Sequence, residues 1–146
     1  MAQAGEFYLP DDLYYDRKDH LWARVDGQRV TVGLDQFGQK AAGTVAYIKL
    51  LPVGRPATKG RAFGSLEAGK YIGPLKAPVN GRIAEVNDEV VAEPKRVNTD
   101  PYNSWFVVIE ASNLPADLSD LVQGPEIQTW LDQELKEYRE KGLIKD

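Results

Sequence analysis

Apolar and polar residues alternate in short runs along the first two thirds of the chain, then change to helical spacing near its end. Leu21-Trp22-Ala23-Arg24-Val25 alternates as a strand, Asp26-Gly27 is a hairpin turn signal, and Arg29-Val30-Thr31-Val32-Gly33 is the returning strand. Asp35 caps a short helix running to about Ala42, with Phe37 and Ala41 on one face and Gly43 ending it. Residues 44–50 read as a longer strand. Two further segments, 61–66 and 71–75, flank Glu67-Ala68-Gly69-Lys70 and form a tight hairpin. Gly69 is the residue free to take the positive φ that such a turn demands, and Lys70 then stands at the tip.

After residue 113 the period changes. Pro115 opens a short helix through Val122, closed by Gly124. Pro125 opens a longer helix with Ile127, Trp130, Leu131, Leu135 and Tyr138 on one face, and Gly142 stops it. Glu134, Lys136, Glu137, Arg139, Glu140 and Lys141 belong mostly to its solvated side.

The β segments repeat. Gly43-Thr44-Val45-Ala46-Tyr47-Ile48 aligns with Gly81-Arg82-Ile83-Ala84-Glu85-Val86, and Phe63-Gly64-Ser65-Leu66-Glu67-Ala68 aligns with Phe106-Val107-Val108-Ile109-Glu110-Ala111. Each half reads strand, polar loop, strand. Two such units bury their apolar faces against each other, which predicts a mainly β fold: a flattened barrel or sandwich with pseudo-two-fold symmetry. The expected layout is an extended, partly ordered arm over 1–13, a β core over 14–113, and a helical extension over 114–146 packed on that core.

Composition narrows the chemistry. The chain has 146 residues, enough for one core, and a net charge of −4 with no basic run, which argues against nucleic acid or an anionic membrane as partner. Its start has neither the basic n-region nor the apolar h-region of a secretory signal, and no apolar stretch approaches the roughly 18 residues that span a bilayer. The expectation is a soluble, cytoplasmic monomer. There is no cysteine and a single histidine, His20. No thiol nucleophile, disulfide framework or zinc site from the usual ligands can be built, so electron or acyl transfer needs an attached group. No acid pair, nucleophile–base set or Gly-rich phosphate loop can be assembled either, which makes catalysis by the chain itself the weakest reading.

Several stretches carry a family likeness. His20-Leu21-Trp22-Ala23-Arg24-Val25 is similar to an H-E-W-x-x-V strand, and Thr31-Val32-Gly33-Leu34 precedes the short helix. Leu51-Pro52-Val53-Gly54 leads to Lys59-Gly60 and Ala62-Phe63-Gly64. Ala77-Pro78-Val79-Asn80-Gly81 is similar to an S-P-V-S-G turn. Val97-Asn98-Thr99-Asp100-Pro101-Tyr102, followed by Trp105, is similar to an N-x-D-P-Y segment. In this order, from about Tyr14 to Tyr138, they resemble the glycine cleavage system H protein family, the lipoyl carriers of the biotinyl/lipoyl superfamily.

That resemblance implies a non-catalytic carrier. Lys70 matches the lysine that takes lipoate as an amide at Nζ, and Glu67 matches the glutamate recognised by lipoate-attaching enzymes. His20 is expected to be packed for structure, with a contact to the arm as the alternative. Ala68-Gly69 before the lysine and Tyr71 after it depart from the family's E-S-V-K-A hairpin, and Asn103-Ser104-Trp105 departs from its G-E-G-W. An E-A-G-K hairpin followed by an aromatic resembles instead the lipoate-binding proteins of sulfur-oxidising prokaryotes, whose partner is a heterodisulfide-reductase-like complex. The resemblance leans to that branch. The alternative is the glycine cleavage system, where the arm carries the aminomethyl group between glycine decarboxylase, aminomethyltransferase and dihydrolipoamide dehydrogenase. A biotin carrier would have methionine on both sides of the lysine, where Gly69 and Tyr71 stand. A pure interaction module that carries nothing would not need Lys70.

Overall fold

The alternating segments fold into two facing antiparallel sheets in a computed structural model that describes residues 2–4 and 6–142. In chain order the strands are β1 (Ala2–Ala4), β2 (Phe7–Leu9), β3 (Tyr14–Tyr15), β4 (Leu21–Asp26), β5 (Arg29–Leu34), β6 (Val45–Leu50), β7 (Pro56–Ala57), β8 (Ala62–Ala68), β9 (Ile72–Lys76), β10 (Gly81–Val86) and β11 (Val107–Ala111). The helices are α1 (Gln36–Ala42), α2 (Asp88–Ala92), α3 (Arg96–Thr99), α4 (Leu114–Leu118) and α5 (Glu126–Glu140). A six-stranded sheet runs β3-β4-β5-β11-β10-β7, and a three-stranded sheet runs β6-β8-β9. The mainly β sandwich forms as expected; its sheets stay separate and do not close into a barrel.

Between the sheets lies an aliphatic core that includes Val30, Val32, Val45, Leu66, Ile83 and Ile109. The two halves of the repeat meet there. Matched residues Phe63 and Phe106 are both fully buried, with ring centroids 6.3 Å apart. β6–β8 and β10–β11 carry bulges at matched places, one at Ala46 and one at Ala84. Their registers differ by two residues: Val45 faces Ala68, whereas Ile83 faces Ile109. The symmetry is therefore in the strand paths and not in every pair.

A second core sits on the other face of the six-stranded sheet, under α1 and α5. Trp22 points into it from β4, and its indole lies across Gly33 on β5, where an ideal Cβ would stand 2.4 Å from the ring. The described residues at the start of the chain form no extended arm. β1 and β2 pair as a hairpin whose Phe7 and Leu9 are buried beside Phe37, Ile127 and Leu131. These apolar residues are legible in the sequence, but their partners are distant, Phe37 in α1 and Ile127 and Leu131 in α5. The polar loop expected between the strands of the second half contains α2 and α3; Asn87 caps α2 by accepting from Glu89 N–H. α4 is shorter than predicted, and Val122 instead forms a β-bridge with Tyr15. No helix of the described residues is long and apolar enough to cross a membrane.

Gly81 faces backbone on the neighbouring strand: an ideal Cβ there would be 2.0 Å from the Glu110 carbonyl oxygen and 2.9 Å from Ala111 Cα. Gly81→Ala is expected to cost about 1–3 kcal/mol, measured as a lowered urea midpoint.

Candidate functional site

β8 and β9 carry Lys70 to the corner where the two sheets and α1 meet. Glu67 pairs with Ile72, and Ala68 N–H donates to Tyr71 C=O at 2.8 Å, leaving Gly69 and Lys70 to make the turn. Gly69 does not take the positive φ expected of it. The turn is held from outside and needs no left-handed residue. Lys70 N–H donates to Ala42 C=O at 2.8 Å, and Gly69 N–H donates to Thr44 C=O at 3.1 Å. Between these two acceptors sits Gly43, which does have a positive φ of 86° and whose ideal Cβ would be 3.6 Å from Lys70 N and Cγ. The left-handed glycine is thus in the cradle, not in the tip.

Asn98 braces that cradle. Its Oδ1 accepts from Val45 N–H at 2.8 Å, and its Nδ2 donates to Gly43 C=O at 2.9 Å and to Gln39 Oε1 at 3.0 Å. All three of its side-chain hydrogen bonds thus go to the segment from α1 to the start of β6. From sequence, Asn98 was only one letter of a family motif; its task depends on a contact more than fifty positions away. Tyr102 of the same segment works at the other end of α1, accepting from Gln36 N–H at 3.1 Å and donating to Tyr8 C=O at 2.6 Å.

Lys70 and Glu67 are both exposed, and neither side chain has a hydrogen bond or ion pair with a described residue. Beside Lys70 opens a cleft of about 240 Å³ lined by Leu34, Ala42, Leu66, Leu75, Tyr71 and Tyr138, with Asp19 also on its wall. The Tyr71 ring folds back over Gly73, whose ideal Cβ would lie 2.5 Å from Tyr71 Oη, and that hydroxyl donates to Pro74 C=O at 3.0 Å. Partial burial, with the Asp19 charge nearby, raises the Tyr71 pKa, so the phenol stays neutral. An exposed amine with no competing partner beside an apolar recess suits the attachment of a long, largely apolar acyl group.

His20 is only 3% exposed. Its Nδ1 lies 3.1 Å from Asp35 Oδ2 and its Nε2 2.6 Å from Glu134 Oε1. The ring is stacked between Phe37 and Trp130, each with its centroid 4.7 Å away. Burial by itself would push the imidazole pKa down; Asp35, then Glu134, outweigh it and raise it to about 9. His20 therefore is a buried cation between two carboxylates and two aromatic faces. It borders the cleft, but both of its nitrogens are committed inside the fold. Glu134, read as solvated, is turned inward to meet it. His20 also takes a φ of 56°, unique among the described non-glycine residues, which lets its carbonyl accept from Asp35 N–H at 2.8 Å.

A family model described as glycine cleavage H-protein matches residues 13–134. The chain belongs to the glycine cleavage H-protein family. It is 40% identical over 148 aligned positions to glycine cleavage system H protein 2 of Aquifex aeolicus (strain VF5), covering 97% of this chain and 89% of that one. It is 38% identical over 127 positions to the glycine cleavage system H protein of Anaeromyxobacter sp. (strain K), covering 86% and 98%. The crystal structure of a glycine cleavage system H protein from Mycobacterium marinum superposes with a TM-score of 0.75 at 27% identity, over 86% of this chain and 98% of that one. These H proteins give no support to the sulfur-oxidation branch to which the departures around Lys70 lean.

Two outcomes check the site's construction. Asn98→Ala is expected to leave the fold intact while the Gly69 and Lys70 amides exchange with solvent at least about tenfold faster, read by hydrogen exchange. Because the His20 pKa is raised from 6.5 to about 9, its stabilisation is complete below pH 6.5 and is lost as pH rises through 9. The melting temperature should fall across that window, and Glu134→Gln should flatten the fall.

Proposed function

We propose that this H-protein family member is the lipoyl carrier of a glycine cleavage system, with lipoate held as an amide on Lys70 Nζ. The observation that carries the reading is the placement of Lys70: a free, exposed amine on a turn whose two backbone N–H groups are fixed to the corner between α1 and β6. Family membership supplies the chemistry. The attaching enzyme presents an acyl-adenylate; the neutral Lys70 amine attacks its carbonyl, the C–N bond forms, AMP leaves, and the nitrogen gives up one proton. The bound group supplies a dithiolane, whose disulfide opens to accept a group or two electrons.

The chain's own residues position and shelter. Glu67, one strand residue back from the turn, is the recognition acid, and the bonds to Ala42 and Thr44 keep the tip from swinging. Leu34, Leu66 and Leu75 give the arm an apolar wall away from water, and Tyr71 and Tyr138 border it. With no cysteine, the chain has no thiol to trap its own arm. Tethering raises the concentration of the reactive end at each docked partner, here glycine decarboxylase, aminomethyltransferase and dihydrolipoamide dehydrogenase in turn.

The test is exchange of the glycine carboxyl with labelled bicarbonate by the host's glycine decarboxylase. The lipoate-loaded chain is expected to support exchange, while the unloaded chain and Lys70→Arg fall to background. A fully loaded chain that supports none contradicts the glycine assignment and turns the partner search to a heterodisulfide-reductase-like complex.

A further inference from the structure

The Lys70 tip has two sides. One borders the cleft. The other continues into the solvent face of the three-stranded sheet, where the register sets Tyr47, Glu67 and Ile72 in one row: Tyr47 opposite Glu67, and Glu67 opposite Ile72. Tyr47 is 68% exposed and Ile72 76%, the highest values among the large apolar side chains of the described residues. Directly opposed side chains stand about 5 Å apart, so two apolar groups roughly 10 Å apart bracket one carboxylate. That carboxylate has no partner of its own among the described residues. The next row, Lys49, Ser65 and Pro74, is also exposed.

A solvated sheet face ordinarily carries polar side chains, and a single exposed Ile would be unremarkable. Here two large apolar groups share one row with an unpaired acid, beside the functional lysine. We propose that the Tyr47–Glu67–Ile72 row is the surface by which the lipoate-attaching enzyme grips this chain. The occupant is an apolar patch that seats Tyr47 and Ile72, with one arginine or lysine aimed at Glu67. This assignment rests on Lys70 being the attachment site and adds Tyr47 and Ile72 to the recognition acid.

Reach identifies the occupant. The attaching enzyme acts on the lysine Nζ itself, so it must come within one side-chain length of the tip and meet the residues beside it. Partners that meet the far end of a loaded arm can dock further away. Tyr47, Glu67 and Ile72 do not line the cleft, so gripping them leaves the recess open to the incoming acyl group.

The experiment measures attachment, not activity of the loaded carrier. A purified lipoate–protein ligase, lipoate and ATP are mixed with the full chain, and the lipoyl mass increment is followed against chain concentration. Tyr47→Thr and Ile72→Thr keep β-compatible side chains at exposed positions, so melting temperatures should match the wild type. Each is expected to raise the KM for the chain about tenfold, the scale of an interface hot spot. Val53→Thr, a control 60% exposed beyond the other end of β6, should change nothing. Equal KM values for wild type, Tyr47→Thr and Ile72→Thr would overturn the docking row while leaving Lys70 as the attachment site. A folded wild type that gains no mass would overturn both.

Discussion

Two backbone hydrogen bonds hold the Lys70 hairpin tip: Lys70 N–H to Ala42 C=O and Gly69 N–H to Thr44 C=O. A two-residue β turn ordinarily satisfies its geometry with left-handed residues. This one borrows its acceptors from the corner after α1, and the left-handed residue is moved to Gly43 in that corner. The tip is thereby tied to the rest of the fold, and its lysine side chain alone is free.

α1 is the bar through which that corner is fixed. At its start, Asp35 accepts from Gly38 N–H and contacts His20, while Tyr102 accepts from Gln36 N–H. At its end, Asn98 bonds Gln39, Gly43 and Val45. A helix of seven residues has little stability of its own, so these long-range bonds decide whether it forms. His20 extends the bracing to α5 through Glu134 and the Trp130 ring. Its charge is tolerable in the second core because two carboxylates share it. The family's aromatic and polar motif letters thus act on α1 more than on the cleft.

The sequence carried whatever depends on local pattern. The β4–β5 hairpin turns at Gly27 with a φ of 63°, Asp35 caps α1, and the apolar stripe of α5 is buried, all as the spacing of those residues dictates. The internal repeat was legible because Phe63 and Phe106 must meet between the sheets. What escaped was set by distant contacts. Phe7 and Leu9 read as an arm because their partners lie far off in α1 and α5. Glu134 read as solvated because nothing nearby reveals a buried imidazole 114 positions earlier. A local reading assigns the turn to a left-handed Gly69, whereas distant acceptors between α1 and β6 hold it. The place of Lys70 on a hairpin turn beside Glu67 is legible in the sequence; the cradle beneath it is not.

The proposed carrier role requires that Lys70 be acylated in the cell. Intact mass with peptide mapping, on protein purified from its native host, tests this most directly. An increment of one lipoyl group, confined to the Lys70 peptide, is the predicted result. A native chain from actively growing cells with unmodified Lys70 would contradict the account, leaving Lys70 an ordinary turn residue and the sandwich an interaction module.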